Sequence, residues 1–177
     1  MEQKIRKHRD DLTGEHRLGD AGQLVFACLF LGAWILDAFF LRLTTLFHGY
    51  LPWFLRIPLG LSVSALGTFL AARGLSIVFR ENTEKPAVIR TSVFGRVRHP
   101  IYLAEIVLYL GLLVISPSLA AVAVLLATIV FLHFISRFEE KLLLQRFGRE
   151  YADYMKNVPM WIPRLRRKTG TAKSRSA

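Results

Sequence analysis

Long apolar runs separated by short polar stretches dominate the chain. LVFACLFLGAWILDAFFL (residues 24–41) is interrupted only by Asp37, and IPLGLSVSALGTFLAARGLSIVF (57–79) only by Arg73. Residues 101–135 form one apolar block divided by SPS at 116–118, where Pro117 breaks or sharply kinks a helix. Stretches near 20 residues cross a hydrocarbon core of ~30 Å. The pattern therefore predicts an all-α integral membrane protein with four transmembrane helices, over about residues 24–47, 53–79, 100–115 and 119–136, the third and fourth forming a tight hairpin.

Beyond the hairpin, SRFEEKLLLQRFGREYADYMKNVP changes character. Phe138, Leu142, Leu143, Leu144 and Phe147 recur at helical spacing, which predicts a C-terminal cytoplasmic amphipathic helix that Gly148 interrupts or bends. Tyr151 and Tyr154 lie one turn apart in the following piece as packing residues, and Pro159 and Pro163 end it. The polar loop RENTEKPAVIRTSVFGRVRH has too few apolar residues for a core of its own. With no internal repeat, residues 1–163 make one membrane domain. RLRRKTGTAKSRSA, residues 164–177, is a disordered basic tail suited to anionic headgroups.

Charge gives an independent check on that layout. The chain carries 24 Lys and Arg against 13 Asp and Glu, although 53% of its residues are hydrophobic. Residues 1–20 hold five of those cations, 80–100 five and 137–177 eleven, which accounts for 21 of the 24. Cytoplasmic segments hold the excess of Lys and Arg, so both termini are placed inside. The charged first 20 residues precede an apolar run without a short-chain cleavage pattern, which reads as a retained span and not a signal peptide. The compact chain with short turns points to a prokaryotic cytoplasmic membrane. Basic residues beside spans, with no interleaved aromatic surface, exclude a nucleic-acid partner. Cys28 lacks a partner for an internal disulfide and is expected to be a buried free thiol. Five histidines and one cysteine without ligand spacing predict no metal site.

Two polar clusters remain to carry chemistry. In GRVRHPIYLAE, residues 95–105, proline is favoured at the first position of a helix, so Pro100 starts the third span and His99 precedes it in an extended conformation. The free amides of that first turn and the helix dipole favour an anion there, with Arg96, Arg98 and His99 adding positive charge. The hairpin returns the second cluster, RFEE at 137–140, to the same membrane face. Two adjacent carboxylates opposite an Arg/His-lined helix start would hold a ligand carrying a carboxylate together with cationic or hydroxyl groups, as an S-adenosyl compound does.

The ordered set RHPIY, a glycine at Gly111, a Ser-Pro turn, EE, RFGREYADY and VPMWIP resembles the isoprenylcysteine carboxyl methyltransferase family and its wider group of integral-membrane methyltransferases, including phospholipid N-methyltransferases, over about residues 60–163. The resemblance implies S-adenosylmethionine bound at the cytosolic face and a lipophilic or lipid-modified acceptor entering from the bilayer. It places Arg98, His99, Pro100, Tyr102 and Leu103 in the cofactor loop, and Glu139 and Glu140 at the cofactor's polar groups. Arg137, or else Glu105, would orient the acceptor. No strong general base is evident, which suits an acceptor that is already a carboxylate, thiolate or amine. Two positions depart from the family pattern. Ala104 stands where many relatives have glycine, and Ile135 lies near the place of an arginine that carboxyl-methylating members carry, with Arg137 offset. The second departure counts against a prenylcysteine substrate.

Each of these residues has a plainer role beside the chemical one. Arg98 and His99 would serve as headgroup anchors, Tyr102 as an interfacial aromatic, and Glu139 and Glu140 as a solvated helix start. Glu105 would pair with Arg73, or Asp37 with Arg73 across the first two spans, and His133 would be an interfacial histidine. Two rival functions stay open at this point: a non-catalytic membrane scaffold or lipid-binding protein, and an NADPH-dependent reductase resembling the sterol reductases.

Overall fold

The computed structural model describes residues 17–43, 52–81 and 88–163. The basic residues at positions 4–9, the end of the expected first span at 44–47, the loop residues 82–87 and the basic tail lie outside them. The described residues form five α-helices, four of them on the apolar runs, and contain no strand. Helix α1 (Arg17–Ile35) runs into a π-helical stretch, Leu36–Leu41, closed by Arg42 at φ 51°. Helix α2 covers Trp53–Glu81. A 3-10 turn at Ser92–Gly95 leads to α3 (Pro100–Ile115), which is followed by α4 (Leu119–Phe147) and α5 (Arg149–Asn157).

Three of these helical segments, Gly19–Leu41, Trp53–Arg80 and Leu119–Phe147, are long and apolar enough to cross a membrane. Helix α3 has 16 residues and rises only ~24 Å. The expected break between the fourth span and the amphipathic helix is absent: α4 continues without interruption through Arg137, Glu139 and Glu140. A change in polarity marks a change of surroundings, whereas the backbone ladder ends only where a residue stops it. Gly148 does so, at φ 54°, a conformation a side chain disfavours. Glu139 and Glu140 are consequently buried in mid-helix and do not form a solvated helix start.

Helices α2 and α3 approach closely because small residues face each other. Gly60, Gly67 and Gly74 recur every seven positions on α2. A Cβ on Gly67 would fall 2.7 Å from the Leu108 nitrogen and 2.9 Å from the Ala104 carbonyl, and one on Gly111 would fall 2.5 Å from the Ser64 nitrogen. In lipid there is little hydrophobic gain from bringing helices together, so backbone-to-backbone packing of this kind carries their association. Ala104, 1% exposed, backs onto this seam; it does not face the candidate site. Helix α1 packs on α4 and α3, where the stacked rings of Phe30 and Tyr109 (centroids 4.0 Å apart) and the side chains of Leu125 and Leu132 build the core.

Pro117 ends α3 as the sequence requires, and Ser118 caps α4 by accepting from the Ala121 N–H at 3.2 Å. The Ser118 hydroxyl donates to Asp37 Oδ2 at 2.5 Å, and Trp34 Nε1 donates to the Ser116 carbonyl at 2.9 Å. These bonds tie the far end of α1 to the hairpin and replace the expected Asp37–Arg73 pair. The antiparallel course of α1 and α2 puts positions 37 and 73 at opposite ends of the bundle, and the Arg73 guanidinium lies over Phe69. Cys28 is exposed, where burial was expected. His133 is also exposed, edge-on to Trp161.

Candidate functional site

At the end of the bundle where α3 begins, the chain before Pro100 is clamped by the segment after α5. The Arg98 N–H donates to the Pro159 carbonyl at 2.9 Å and the His99 N–H to the Met160 carbonyl at 3.2 Å. The Arg98 side chain makes the clamp three-sided. Its Nε donates to Glu140 Oε1 at 2.8 Å, and its Nη1 donates to the carbonyls of Met155 (3.0 Å) and Val158 (2.7 Å). The Arg98 guanidinium, expected to add positive charge for an anion, is thus turned into the protein.

That clamp aims His99 between the two glutamates of α4. His99 Nε2 lies 3.3 Å from Glu140 Oε1, and Nδ1 lies 3.5 Å from Glu139 Oε2. Tyr102, one helical turn beyond His99, donates its hydroxyl to Glu139 Oε1 at 2.5 Å. The His99 and Tyr102 rings lie parallel, with centroids 5.5 Å apart. All four side chains are buried, Glu140 at 2% exposure. A buried carboxylate is costly unless paired and hydrogen-bonded. Arg98 balances Glu140, while Tyr102 and His99 hold Glu139, and the cluster stays rich in acceptor oxygen.

The surrounding elements lock it in place. Tyr151 and Tyr154 of α5 pack with Val158 against Leu143, Leu144 and Phe147, as packing residues of the last helix should. Tyr154 donates to the Phe94 carbonyl at 2.7 Å and so ties α5 to the turn before α3. Burial pushes the Tyr154 hydroxyl up to about 12, against the pull of Arg98 and Arg90. It raises Tyr151 likewise, with the charge of Glu140 adding to the effect. From the other side α1 comes down on the cluster: a Cβ on Gly19 would lie 3.5 Å from Glu139 Oε1 and 3.6 Å from the Tyr102 hydroxyl.

Of the residues singled out in the sequence, Arg98, His99, Pro100, Tyr102, Glu139 and Glu140 come together. Leu103 is half-buried on the same first turn, its N–H donating to the His99 carbonyl at 3.1 Å. Arg137 does not join them; it lies one helical turn before Glu140, but its side chain is exposed. Glu105 lies a turn further along α3 and accepts from Gln23 Nε2 (2.8 Å) and the Tyr109 hydroxyl (2.7 Å), with no link to Arg73. Gln23, Gly19, Ser136 and the carbonyls of Val158, Pro159 and Met160 went unforeseen. Gln23 offered a signal, as an amide set at the head of an apolar run. Ser136 is one helical turn before the two glutamates, fully buried, with its hydroxyl unpaired. The indole N–H of Trp161, a residue packed against the core that includes Tyr102, is likewise buried and unpaired.

The family described as phospholipid methyltransferase matches residues 54–150 of the chain. Among curated proteins, the cobalt-zinc-cadmium resistance protein CzcN of Cupriavidus metallidurans is 33% identical over 114 residues, covering 61% of this chain and 51% of that protein. The chain thus spans about half the length of the curated relative it matches. No solved structure matches.

Proposed function

The chain belongs to the phospholipid methyltransferase family of integral-membrane methyltransferases, and from that premise we propose that it methylates the amine of a lipophilic, membrane-delivered acceptor with S-adenosylmethionine as donor. The observation that carries this reading is the buried cluster of His99, Tyr102, Glu139 and Glu140 at one end of the bundle.

The cluster suits the proposed donor on physical grounds. S-Adenosylmethionine supplies a methyl group on a sulfonium and also carries an ammonium and ribose hydroxyls. Paired carboxylates hold such cationic and hydroxyl groups, and parallel aromatic rings offer a flat face. The orphaned Ser136 hydroxyl and Trp161 indole N–H supply polar atoms that a polar ligand would satisfy. Glu139, His99 and Tyr102 would hold the donor, while Arg98 acts through Glu140 and the chain after α5. Sulfonium charge disperses as the methyl leaves, so a site that excludes water and holds donor and acceptor in line favours transfer.

The acceptor class follows from the cations. Recognition of an acceptor carboxylate calls for a guanidinium turned into the site, yet Arg137 is exposed outside the buried cluster and Arg98 is committed to Glu140 and two carbonyls. An amine needs no such partner. Apolar side chains on the outer faces, among them Leu24, Phe69, Leu126 and Phe134, fit an acceptor that arrives from lipid.

Helix α3 completes a fourth span in this reading. Its start lies by Gly74 of α2 and its end by Gly60, so it follows α2 through most of the bilayer. The site then opens on the cytoplasmic side of a prokaryotic inner membrane, where the Lys and Arg of the chain concentrate.

Calorimetric titration of S-adenosylmethionine and S-adenosylhomocysteine into the detergent-purified chain, with Glu139→Ala alongside, tests the site. Binding in the parent and its loss in the variant are expected. A folded parent that binds neither compound refutes the proposal. Labelled-methyl transfer to ethanolamine phospholipids, compared with prenylcysteine carboxylates and small thiols, then tests the acceptor class.

A further inference from the structure

Glu105 is a half-buried carboxylate beside the cofactor cluster that the cluster leaves unused. It sits one turn beyond Tyr102 on α3, ~4.5 Å along the helix axis. An ionisable group inside a span is costly and is ordinarily paired or functional. Among the described residues no cation pairs with Glu105. Its partners are neutral donors, one on each oxygen: Gln23 Nε2 on Oε2 and the Tyr109 hydroxyl on Oε1. Each carboxylate oxygen accepts along two directions, so the pair of donors fixes the group and leaves it room to accept again. A lysine or arginine in the place of Gln23 would have neutralised the charge; an amide orients it and preserves it.

The setting is rigid on one side and open on the other. Tyr109 is 3% exposed and stacked on Phe30, whereas Gln23 and Glu105 are both half-buried. Gln23 follows Gly19 by one turn on α1, so Gly19 over the Tyr102–Glu139 pair and Gln23 over Glu105 form two successive layers between the same helices. Helix α1 lies outside the residues the family matches, yet it walls both layers. The titratable groups nearby are Tyr109 on the same helix, Tyr102 and Glu139 in the layer above, and Cys28 on α1 near Tyr109.

We propose that Glu105 receives the proton of the acceptor's ammonium group and that Gln23 is the positioning residue that holds it there. The inference rests on the amine-methyltransferase reading above. An N–H bond of the ammonium breaks, its proton passes to a Glu105 carboxylate oxygen, and the electron pair stays on nitrogen, where it is free to attack a sulfonium methyl. Attraction to the carboxylate also selects an ammonium head over a neutral or anionic one.

The experiment uses the full chain in detergent as parent, Glu105→Gln, Gln23→Leu and the double variant. Native mass spectrometry reads retention of a single-chain ethanolamine phospholipid and of its N-acetylated form, calorimetry reads S-adenosylhomocysteine affinity, and labelled methyl transfer to the ethanolamine lipid is followed against pH. S-Adenosylhomocysteine affinity is expected to stay within about twofold in every variant, because the side-chain partners of Glu105 are Gln23 and Tyr109 and not the residues of the cluster. Glu105→Gln is expected to retain the ethanolamine lipid about tenfold less well and the acetylated lipid equally, since it loses only the charge. Its methylation rate should fall by about 10²–10⁴ and recover by about tenfold per pH unit as the solvent deprotonates the amine. Gln23→Leu should show a smaller loss with the same alkaline recovery. The double variant should be no slower than Glu105→Gln, since Gln23 acts through Glu105; a merely structural glutamine would make the losses add. Parent-like ethanolamine binding and methylation by Glu105→Gln, loss of S-adenosylhomocysteine binding in that variant, or additive losses would each overturn the proposal. A parent that fails to bind S-adenosylhomocysteine overturns the methyltransferase reading beneath it instead.

Discussion

Arg98 and Glu140 stand 42 positions apart in the chain and meet at 2.8 Å, with 10% and 3% of their side chains exposed. The pair joins the start of α3 to the middle of α4, and through the Met155 and Val158 carbonyls it also secures the end of α5. Removing one partner of such a pair leaves a buried charge uncompensated, at a cost of about 3–5 kcal/mol. Glu140→Ala is therefore expected to lower thermal stability in detergent sharply. A transition unchanged from the parent's would show that the pair does not hold these elements together.

Tyr102 and Arg137 separate the cluster from its surroundings. Tyr102→Phe keeps the ring beside His99 and loses the bond to the Glu139 carboxylate, a stability change of about 1.5–3 kcal/mol. Its effect on S-adenosylhomocysteine affinity should be larger than its effect on thermal stability. Arg137→Ala removes an exposed side chain and should leave affinity within about twofold, as surface substitutions do. Calorimetry and thermal unfolding on the same preparations check both, and a large affinity loss in Arg137→Ala would contradict its exposed place outside the cluster.

The seam between α2 and α3 has no room at Gly67 or Gly111. A Cβ at Gly67 meets backbone at 2.7 and 2.9 Å, so Gly67→Ala should force the helices apart and destabilise by about 1–3 kcal/mol. Gly32, with nothing within 4 Å of its Cβ position, is the control, and Gly32→Ala should be neutral or slightly stabilising. Midpoints of thermal unfolding in detergent distinguish the two.

At the opposite end of the bundle, Asp37→Ala leaves the buried Ser118 hydroxyl without its acceptor and should cost about 1–3 kcal/mol. Asp37→Asn keeps an acceptor oxygen and should lose less. Arg73→Ala should match neither, because the two side chains are at opposite ends of their helices. The order of unfolding midpoints for the three variants is the check.

Tyr154 gives a pH signature. Its hydroxyl is raised from 10.0 to about 12 by burial, so the folded state favours the neutral form. Stability from this group is complete below pH 10 and is lost as pH climbs from about 10 toward about 12. Tyr154→Phe should unfold more easily than the parent at pH 8, for want of the bond to Phe94. The gap should narrow above pH 10, where only the parent has that phenol to ionise. Melting curves from pH 8 to 11 test the sign, and a widening gap would contradict it.

Much of this molecule is legible along the chain because its strongest signals are local. Apolar length, the cation distribution, Pro100 at a helix start, the Pro117 break and the Gly148 stop each depend on a few neighbouring residues and the medium around them. The RHPIY and EE motifs were legible for the same reason, and the fold does bring them together. The sequence by itself determined an all-helical membrane protein and the residue types that meet at one end of it. Only the tertiary structure decided how they are used. Helix α4 runs through RFEE because nothing there breaks a backbone ladder, and the packing of α1, α3 and the chain after α5 around it buries Glu139 and Glu140 while Arg137 stays exposed. Arg98, expected to face a ligand, is spent on Glu140 and on carbonyls more than 50 positions away. Gln23 reaches Glu105 across 82 positions, a contact no local pattern encodes, because it depends on the register in which α1 packs against α3.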